Sequence, residues 1–271
     1  MSYLATECGR RIFFADYAAE QAEESVVLLV HGWGVNSECW DPILPALKAN
    51  GLRIITFDQR CCGSSDKTFH DVSIGAIAGD IVALVEHLGL TQVILNGWSL
   101  GAAVAVDAAS KLGGRCAGLV LTGGATPIYV EKPDFPHGGS ADDVAASVQA
   151  YETDRVDFLY GLSRIICSKK VGVHIENWFH QMFLTASPFA GPTLGELATS
   201  DQRKMLIGIK IPILSIFGDS DQFVAPAICR WVGDNHPNAR NVEFAGVGHA
   251  PFIEEREAYI LSFMDFVKEL R

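Results

Sequence analysis

The 271-residue chain has no uninterrupted apolar run near the roughly 20 residues that a bilayer-spanning helix requires, which excludes a membrane protein of that kind. Basic charge is scarce too. Lys and Arg number 21 against 32 Asp and Glu, for a formal net charge of −11. Nucleic acid and anionic membrane surfaces are bound through basic patches that release counterions, so neither is an expected partner. The modest basic cluster Lys169-Lys170 reads as a solvated helix end. A disulfide framework is missing as well. Cys8, Cys39, Cys61, Cys62, Cys116, Cys167 and Cys229 are odd in number and scattered, which points to a reducing compartment and a cytoplasmic location. Cys61-Cys62 has no second pair at ligand spacing and the histidines are dispersed, so the pair reads as small loop residues, with no metal site expected. Met1–Glu7 lacks the basic start and apolar core of a signal peptide. There is neither an internal repeat nor a low-complexity segment.

What is present is a rhythm. After an opening hairpin over Tyr3–Cys8 and Arg11–Tyr17, continuous apolar runs of strand length recur at Val26–Val30, Arg53–Phe57, Val93–Leu95, Gly118–Leu121, Ile213–Phe217 and Val242–Phe244. Such runs, without polar alternation, predict strands buried on both faces of a mostly parallel sheet. Helical patterns lie between them, over Trp40–Ala49, Ser73–Leu88, Leu100–Leu112, Pro226–Asn235 and Ile253–Leu270, and this alternation predicts an α/β, doubly wound architecture. The rhythm breaks after Thr122. Ser140-Ala141-Asp142-Asp143 reads as a helix start, and further helical stretches follow at Tyr151–Cys167, Val171–Leu184 and Thr193–Ala198. The expected organisation is a core of residues 1–125 and 210–271, interrupted by a helical cap over residues 126–209.

The chemistry is carried by Gly97-Trp98-Ser99-Leu100-Gly101, set between an apolar strand and a helix. A lone G-x-S-x-G is weak evidence in a chain with 26 glycines. Chain order strengthens it: the strand Ile213–Phe217 ends in Gly218-Asp219-Ser220-Asp221, and Gly248-His249-Ala250-Pro251 follows. Serine, then acid, then histidine is the chain order of triads whose serine stands on a strand-turn-helix nucleophile elbow, unlike the orders of the two best-known serine-protease folds. A serine hydroxyl needs a base within reach and a group to orient that base. His249 is the candidate base and Asp221 the candidate orienter; Asp219 reads as a loop carboxylate. Backbone N–H groups of Leu100, next to the serine, and of Trp33, in His31-Gly32-Trp33-Gly34, are the candidate oxyanion donors. The other histidines read as structural or surface residues, and His31 as a brace for its own loop. Trp33, Trp98 and Phe223 stand beside these positions and are candidate substrate contacts. In the cap, Trp178, Phe179, Phe183 and Phe189 recur at helix-like spacing; such a stripe is more often cap core, and Trp178 and Phe183 are its candidate substrate contacts.

These segments, with Phe57-Asp58-Gln59-Arg60 and Thr122-Gly123-Gly124-Ala125-Thr126-Pro127 leading to Lys132-Pro133-Asp134-Phe135-Pro136, resemble the α/β-hydrolase superfamily over essentially the whole chain. Within it the chain is most similar to esterases grouped with cofactor-free haloperoxidases. That resemblance implies a Ser99-His249-Asp221 triad, an oxyanion hole from Trp33 and Leu100, no metal or organic cofactor, and hydrolysis of carboxylic esters, here small and largely apolar ones, through an acyl-enzyme. It also implies a side reaction in which hydrogen peroxide replaces water. The Gly97–Gly101 and His249–Phe252 segments resemble equally the pimeloyl-acyl carrier methyl ester esterases of biotin synthesis. Lactone or carbon–carbon bond hydrolysis on the same triad, and a slowly turning-over ligand receptor, are the alternatives that remain; a homo-oligomer is compatible with the sequence. Three positions depart from the family pattern: Cys61 where a glycine is usual, Ala102 where a second glycine is common after the elbow, and Arg256 where a proline often opens the last helix.

Overall fold

The computed structural model describes residues 2–19 and 25–271, so Met1, the first residue of the leader reading above, lies outside the described residues. The apolar runs form the strands they predict, except that Val242–Phe244 belongs to an edge strand that is only half-buried, because nothing pairs with its outer side among the described residues. β1 (Ser2–Ala5) and β2 (Arg11–Tyr17) make an antiparallel hairpin. β3 (Ser25–Val30), β4 (Leu52–Phe57), β5 (Val93–Trp98), β6 (Cys116–Thr122), β7 (Ile213–Gly218) and β8 (Ala239–Phe244) follow in the chain. They join in one eight-stranded sheet of order β1-β2-β4-β3-β5-β6-β7-β8, parallel from β4 onward, with β2 antiparallel to β4. β3 shows why the runs lack polar alternation: Leu28 and Val30 enter one hydrophobic core, Val27 and Leu29 the core on the opposite face. The first core is covered by α2 (Ile74–His87), α3 (Leu100–Leu112) and α9 (Pro226–Asn235); the second is covered by α1 (Leu44–Ala49) and α11 (Arg256–Glu269). The doubly wound sheet is therefore as expected.

Strand order reverses around β3, which pairs with β4 on one side and β5 on the other, and Val30 stands level with both Phe57 and Gly97. A crevice opens at the carboxyl ends of parallel strands at such a switch point. The loops after β3 and β5, carrying Trp33 and Ser99, meet there.

Between β6 and β7 the chain forms α4 (Ala141–Thr153), α5 (Arg155–Ile165), α6 (Val173–Leu184), α7 (Gly191–Gly195) and α8 (Arg203–Gly208), with short 3-10 turns. The Ser140 side chain caps Asp143 N and the Asp143 carboxylate returns to Ser140 N, the reciprocal cap that the sequence announces. The stems of this insertion are tied together: Thr126 Oγ1 donates to Gln202 Oε1 at 2.7 Å, and Gln202 Nε2 donates to Ala103 O at 2.8 Å.

Some helices are cut where the sequence reading runs through. The span expected over Trp40–Ala49 is a 3-10 turn, Ser37–Trp40, followed by α1, because Pro42 and Pro45 withhold amide donors and restrict the residues before them. The chain breaks at Asp154, between α4 and α5, where φ is −141° and ψ 53°. A second break at Glu255 separates α10 (Pro251–Glu254) from α11, where one helix is expected from Ile253 onward. α8 has no counterpart in the sequence reading.

Candidate active site

Ser99 sits at φ 58° and ψ −125°, a left-handed conformation costing a non-glycine residue about 1–3 kcal/mol. The elbow is held on both sides: Ser99 N donates to Thr122 O at 2.9 Å, and Ser99 O accepts from Ala102 N at 2.9 Å and Ala125 N at 3.0 Å. A Cβ on Gly97 would overlap Gly101 O, and one on Gly101 would overlap His31 O, so both flanking glycines follow from close backbone approach. Beneath the elbow, Asn96, Thr122 and Tyr259 close a buried triangle of hydrogen bonds of 2.8, 2.8 and 3.0 Å, leaving none of these core polar groups unpaired.

The loop after β7 separates its two acids. Asp221 is buried; its Oδ2 lies 2.7 Å from His249 Nδ1, while its Oδ1 accepts from Phe223 N at 2.8 Å and Val224 N at 3.0 Å. Asp219 is exposed and serves its own loop, accepting from Ser220 Oγ at 2.8 Å and Gly246 N at 2.7 Å; these bonds hold its carboxyl below the usual carboxylate range. His249 is buried and held on three sides. Phe223 stacks on its ring at 4.9 Å, the Trp98 indole N–H donates to its carbonyl at 2.8 Å, and its own N–H donates to Ile166 O at 2.8 Å.

The loop that carries Trp33 is set by His31. Its Nε2 accepts from Gln59 N at 2.9 Å, which puts the ring proton on Nδ1, and Nδ1–H donates to Gly32 O at 2.7 Å. Gly32 O and Trp33 N belong to one planar peptide, so fixing the carbonyl fixes the direction of the Trp33 N–H. Among the described residues, neither that N–H nor the Leu100 N–H is engaged in a hydrogen bond. Burial lowers the His31 pKa below its ordinary 6.5. The folded protein therefore takes this proton less readily than the unfolded chain, and the stability His31 contributes is full above about pH 6.5 and lost below it. Melting temperature is expected to fall as the pH is lowered below about 6.5, and less steeply in His31→Gln. Equal slopes in the two proteins would assign the acid sensitivity elsewhere.

Trp33, Trp98, Ser99, Leu100, Phe223 and His249 line one cavity of about 90 Å³, together with Gly32. Among the described residues no side-chain hydrogen bond is made by the Ser99 hydroxyl. The insertion closes the cavity with Phe158, Leu162, Ile166, Phe183, Leu194 and Leu197, and Tyr129 and Ser147 complete the wall. Phe183 is thus one of the lining residues. Trp178 is not among the lining residues; half-buried, it packs on Phe179 with ring centroids 5.3 Å apart. Phe189 lies outside α6 and is 63% exposed. Tyr129, Phe158, Leu162 and Leu194 carry no motif or periodicity that marks them as cavity residues. Cys61 takes φ 66°, a glycine-like conformation, but its carbonyl accepts from Ser187 N at 2.7 Å and its thiol faces Lys67 O, so the departure falls at a contact with the insertion and not in the cavity. All seven thiols are free, no group of His, Cys, Asp and Glu able to hold a metal ion occurs among the described residues, and no described helix is long and apolar enough to cross a membrane.

A serine at a strand-turn-helix elbow and a buried acid–histidine pair at the switch point of a doubly wound sheet form a candidate site of the kind that α/β hydrolases carry. Residues 27–260 match the alpha/beta hydrolase family, and the chain belongs to it. It is 29% identical over 233 residues to a non-heme haloperoxidase of Rhodococcus erythropolis, covering 83% of each chain. It is 28% identical over 249 residues to the pimeloyl-[acyl-carrier protein] methyl ester esterase of Sodalis glossinidius, covering 89% of this chain and 92% of that one. The solved structure of an esterase from Exiguobacterium antarcticum superposes with a TM-score of 0.93 at 26% identity, covering 98% of this chain and 99% of that one. The resemblance drawn from the sequence motifs is thus borne out at the level of family and fold.

Proposed function

We propose that the protein is a serine carboxylesterase acting on small, largely apolar esters. The observation that carries this reading is the buried 2.7 Å contact between His249 Nδ1 and Asp221 Oδ2 at the wall of the cavity that holds Ser99. In the proposed reaction Ser99 Oγ attacks the ester carbonyl carbon while its proton passes to His249 Nε2. The contact between hydroxyl and imidazole closes as substrate arrives, as hydrogen bonds at unliganded sites commonly do. Asp221 holds the imidazole in the tautomer that accepts at Nε2 and stabilises the imidazolium. The carbonyl oxygen, now negative, is met by the N–H groups of Trp33 and Leu100, each worth about 3 kcal/mol of barrier. Collapse breaks the bond to the alkoxy oxygen, which leaves as alcohol with the His249 proton. Water repeats the sequence, releasing the acid and restoring Ser99. Hydrogen peroxide in place of that water would release a peracid.

The segment over residues 126–209 acts in this reading as a lid that sets substrate size and supplies no catalytic group. At about 90 Å³ the cavity is smaller than the roughly 150 Å³ void that takes up benzene, so a short acyl chain fits and an octanoyl chain requires the lid to move. Nitrophenyl esters from acetyl to octanoyl test both points. The expected result is sustained turnover, fastest on the shorter chains; one slow turnover ending in a stable adduct would instead favour a ligand receptor. Phe183→Leu, which opens the lid wall without emptying it, should move the optimum to longer chains and change acetate turnover less. An equal loss on every ester in the folded variant would contradict the lid assignment. Including a lactone, a vinylogous diketone and a methyl ester carried on an acyl carrier protein separates ester hydrolysis from the chemistries and substrates closest to it.

A further inference from the structure

Residues 166–169 run from the end of α5 toward α6 and touch both loops that carry the acid and the base. His249 N donates to Ile166 O at 2.8 Å, and Ser168 Oγ donates to Ser220 O, next to Asp221, at 2.8 Å. The joint is closed by one carboxylate. Glu254 Oε2 accepts from Ser168 N at 2.8 Å, Lys169 N at 2.9 Å and Gly248 N at 2.9 Å; Oε1 accepts from Gly248 N at 3.0 Å and Ala250 N at 3.3 Å. A cap for the short helix α10 would account for the bonds to Gly248 and Ala250. It would not account for those to Ser168 and Lys169, which belong to the insertion. Gly248 supplies a second, independent observation: a Cβ there would stand 2.6 Å from Ser168 N and 3.0 Å from Glu254 Oε1. The residue before the histidine is glycine because the insertion's backbone packs directly against it.

We propose that Glu254 is a positioning residue whose carboxylate locks segment 166–169 of the insertion onto the His249 loop, so that the base is aligned only while the insertion is seated. This rests on the assignment of His249 as base. Its physical logic is that a single acceptor oxygen shared by amides of both segments cannot keep both sets of bonds once the segments part. Ile166 also lines the cavity, so lid seating, pocket shape and base alignment pass through the same few residues.

The test uses Glu254→Ala, Glu254→Gln and Gly248→Ala in the full chain, with acetate-ester kinetics and amide hydrogen exchange. In Glu254→Ala, kcat on the smallest ester should fall about tenfold, the scale of a small misplacement of a reacting group, with KM changed less than about twofold. Peptides covering residues 166–169 and 248–250 should lose protection together. Glu254→Gln keeps the shape and one acceptor oxygen and should lose less. Gly248→Ala should reproduce the kcat loss with Glu254 intact, by wedging the joint apart. Should the alanine variant at Glu254 fail to fold, the other two decide. Folded variants with unchanged kcat, a rise in KM alone, or lost protection at 166–169 without any at 248–250 would each overturn the proposal. If the wild-type protein turns over no ester at all, the reading of the site fails, and the coupled exchange of the two segments still decides whether the joint exists.

Discussion

Asp221→Asn should fold like the wild type and lose about four orders of magnitude in kcat, while Asp219→Asn should keep most of its activity. The two acids are separated by one residue, but their surroundings differ completely. Asp221 is buried with its Oδ2 on the imidazole, and its Oδ1 is held by two backbone amides that keep it from rotating away. Converting it to the amide preserves size and offers an N–H where an acceptor is needed, which turns the ring to the wrong tautomer or away from Ser99. Asp219 is exposed and bonded within its loop, so its removal costs local order and nothing in the chemical step. Steady-state kinetics on a nitrophenyl ester, beside circular dichroism of both variants, measure this. Loss of activity in Asp219→Asn with activity retained in Asp221→Asn would show that the wrong acid is assigned.

The larger effect is expected at Ser99. Ser99→Ala removes the only atom in the proposed reaction that bonds covalently to substrate, and losses of about 10⁶-fold in kcat are the scale for such a nucleophile. Function and stability should part at this position. Ser99 is held at φ 58°, and alanine stays strained there, whereas glycine is not. Ser99→Gly should therefore be equally inactive, yet more stable than Ser99→Ala by about 1 kcal/mol in denaturant unfolding. Equal stability of the two would remove the argument that the elbow stores backbone strain.

The sheet was legible in the sequence because each of its inner strands is buried on both faces, so runs such as Val26–Val30 announce themselves without alternation. The candidates Ser99, Asp221 and His249 were legible because they lie in the loops after β5, β7 and the edge strand β8, where chain order narrows their roles. The helix breaks were harder. Pro42 and Pro45 carry a readable signal that a continuous apolar pattern from Trp40 masks, whereas Asp154 has no glycine or proline to mark it. Trp178 was misplaced by reading a stripe where helix geometry permits none: consecutive residues point about 100° apart. Phe179 and Phe183, four residues apart on α6, share the buried face, and Trp178 falls to its side. Tyr129 and Leu194 reach the cavity only through the path of the insertion, which no local pattern encodes.

The claim on which the account turns is that Ser99 is the nucleophile, and covalent labelling with a fluorophosphonate followed by peptide mass spectrometry tests it most directly. The account predicts a single adduct on the peptide containing Ser99, loss of esterase activity in step with labelling, and neither label nor activity in Ser99→Ala. A label that persists in Ser99→Ala together with full esterase activity would contradict it.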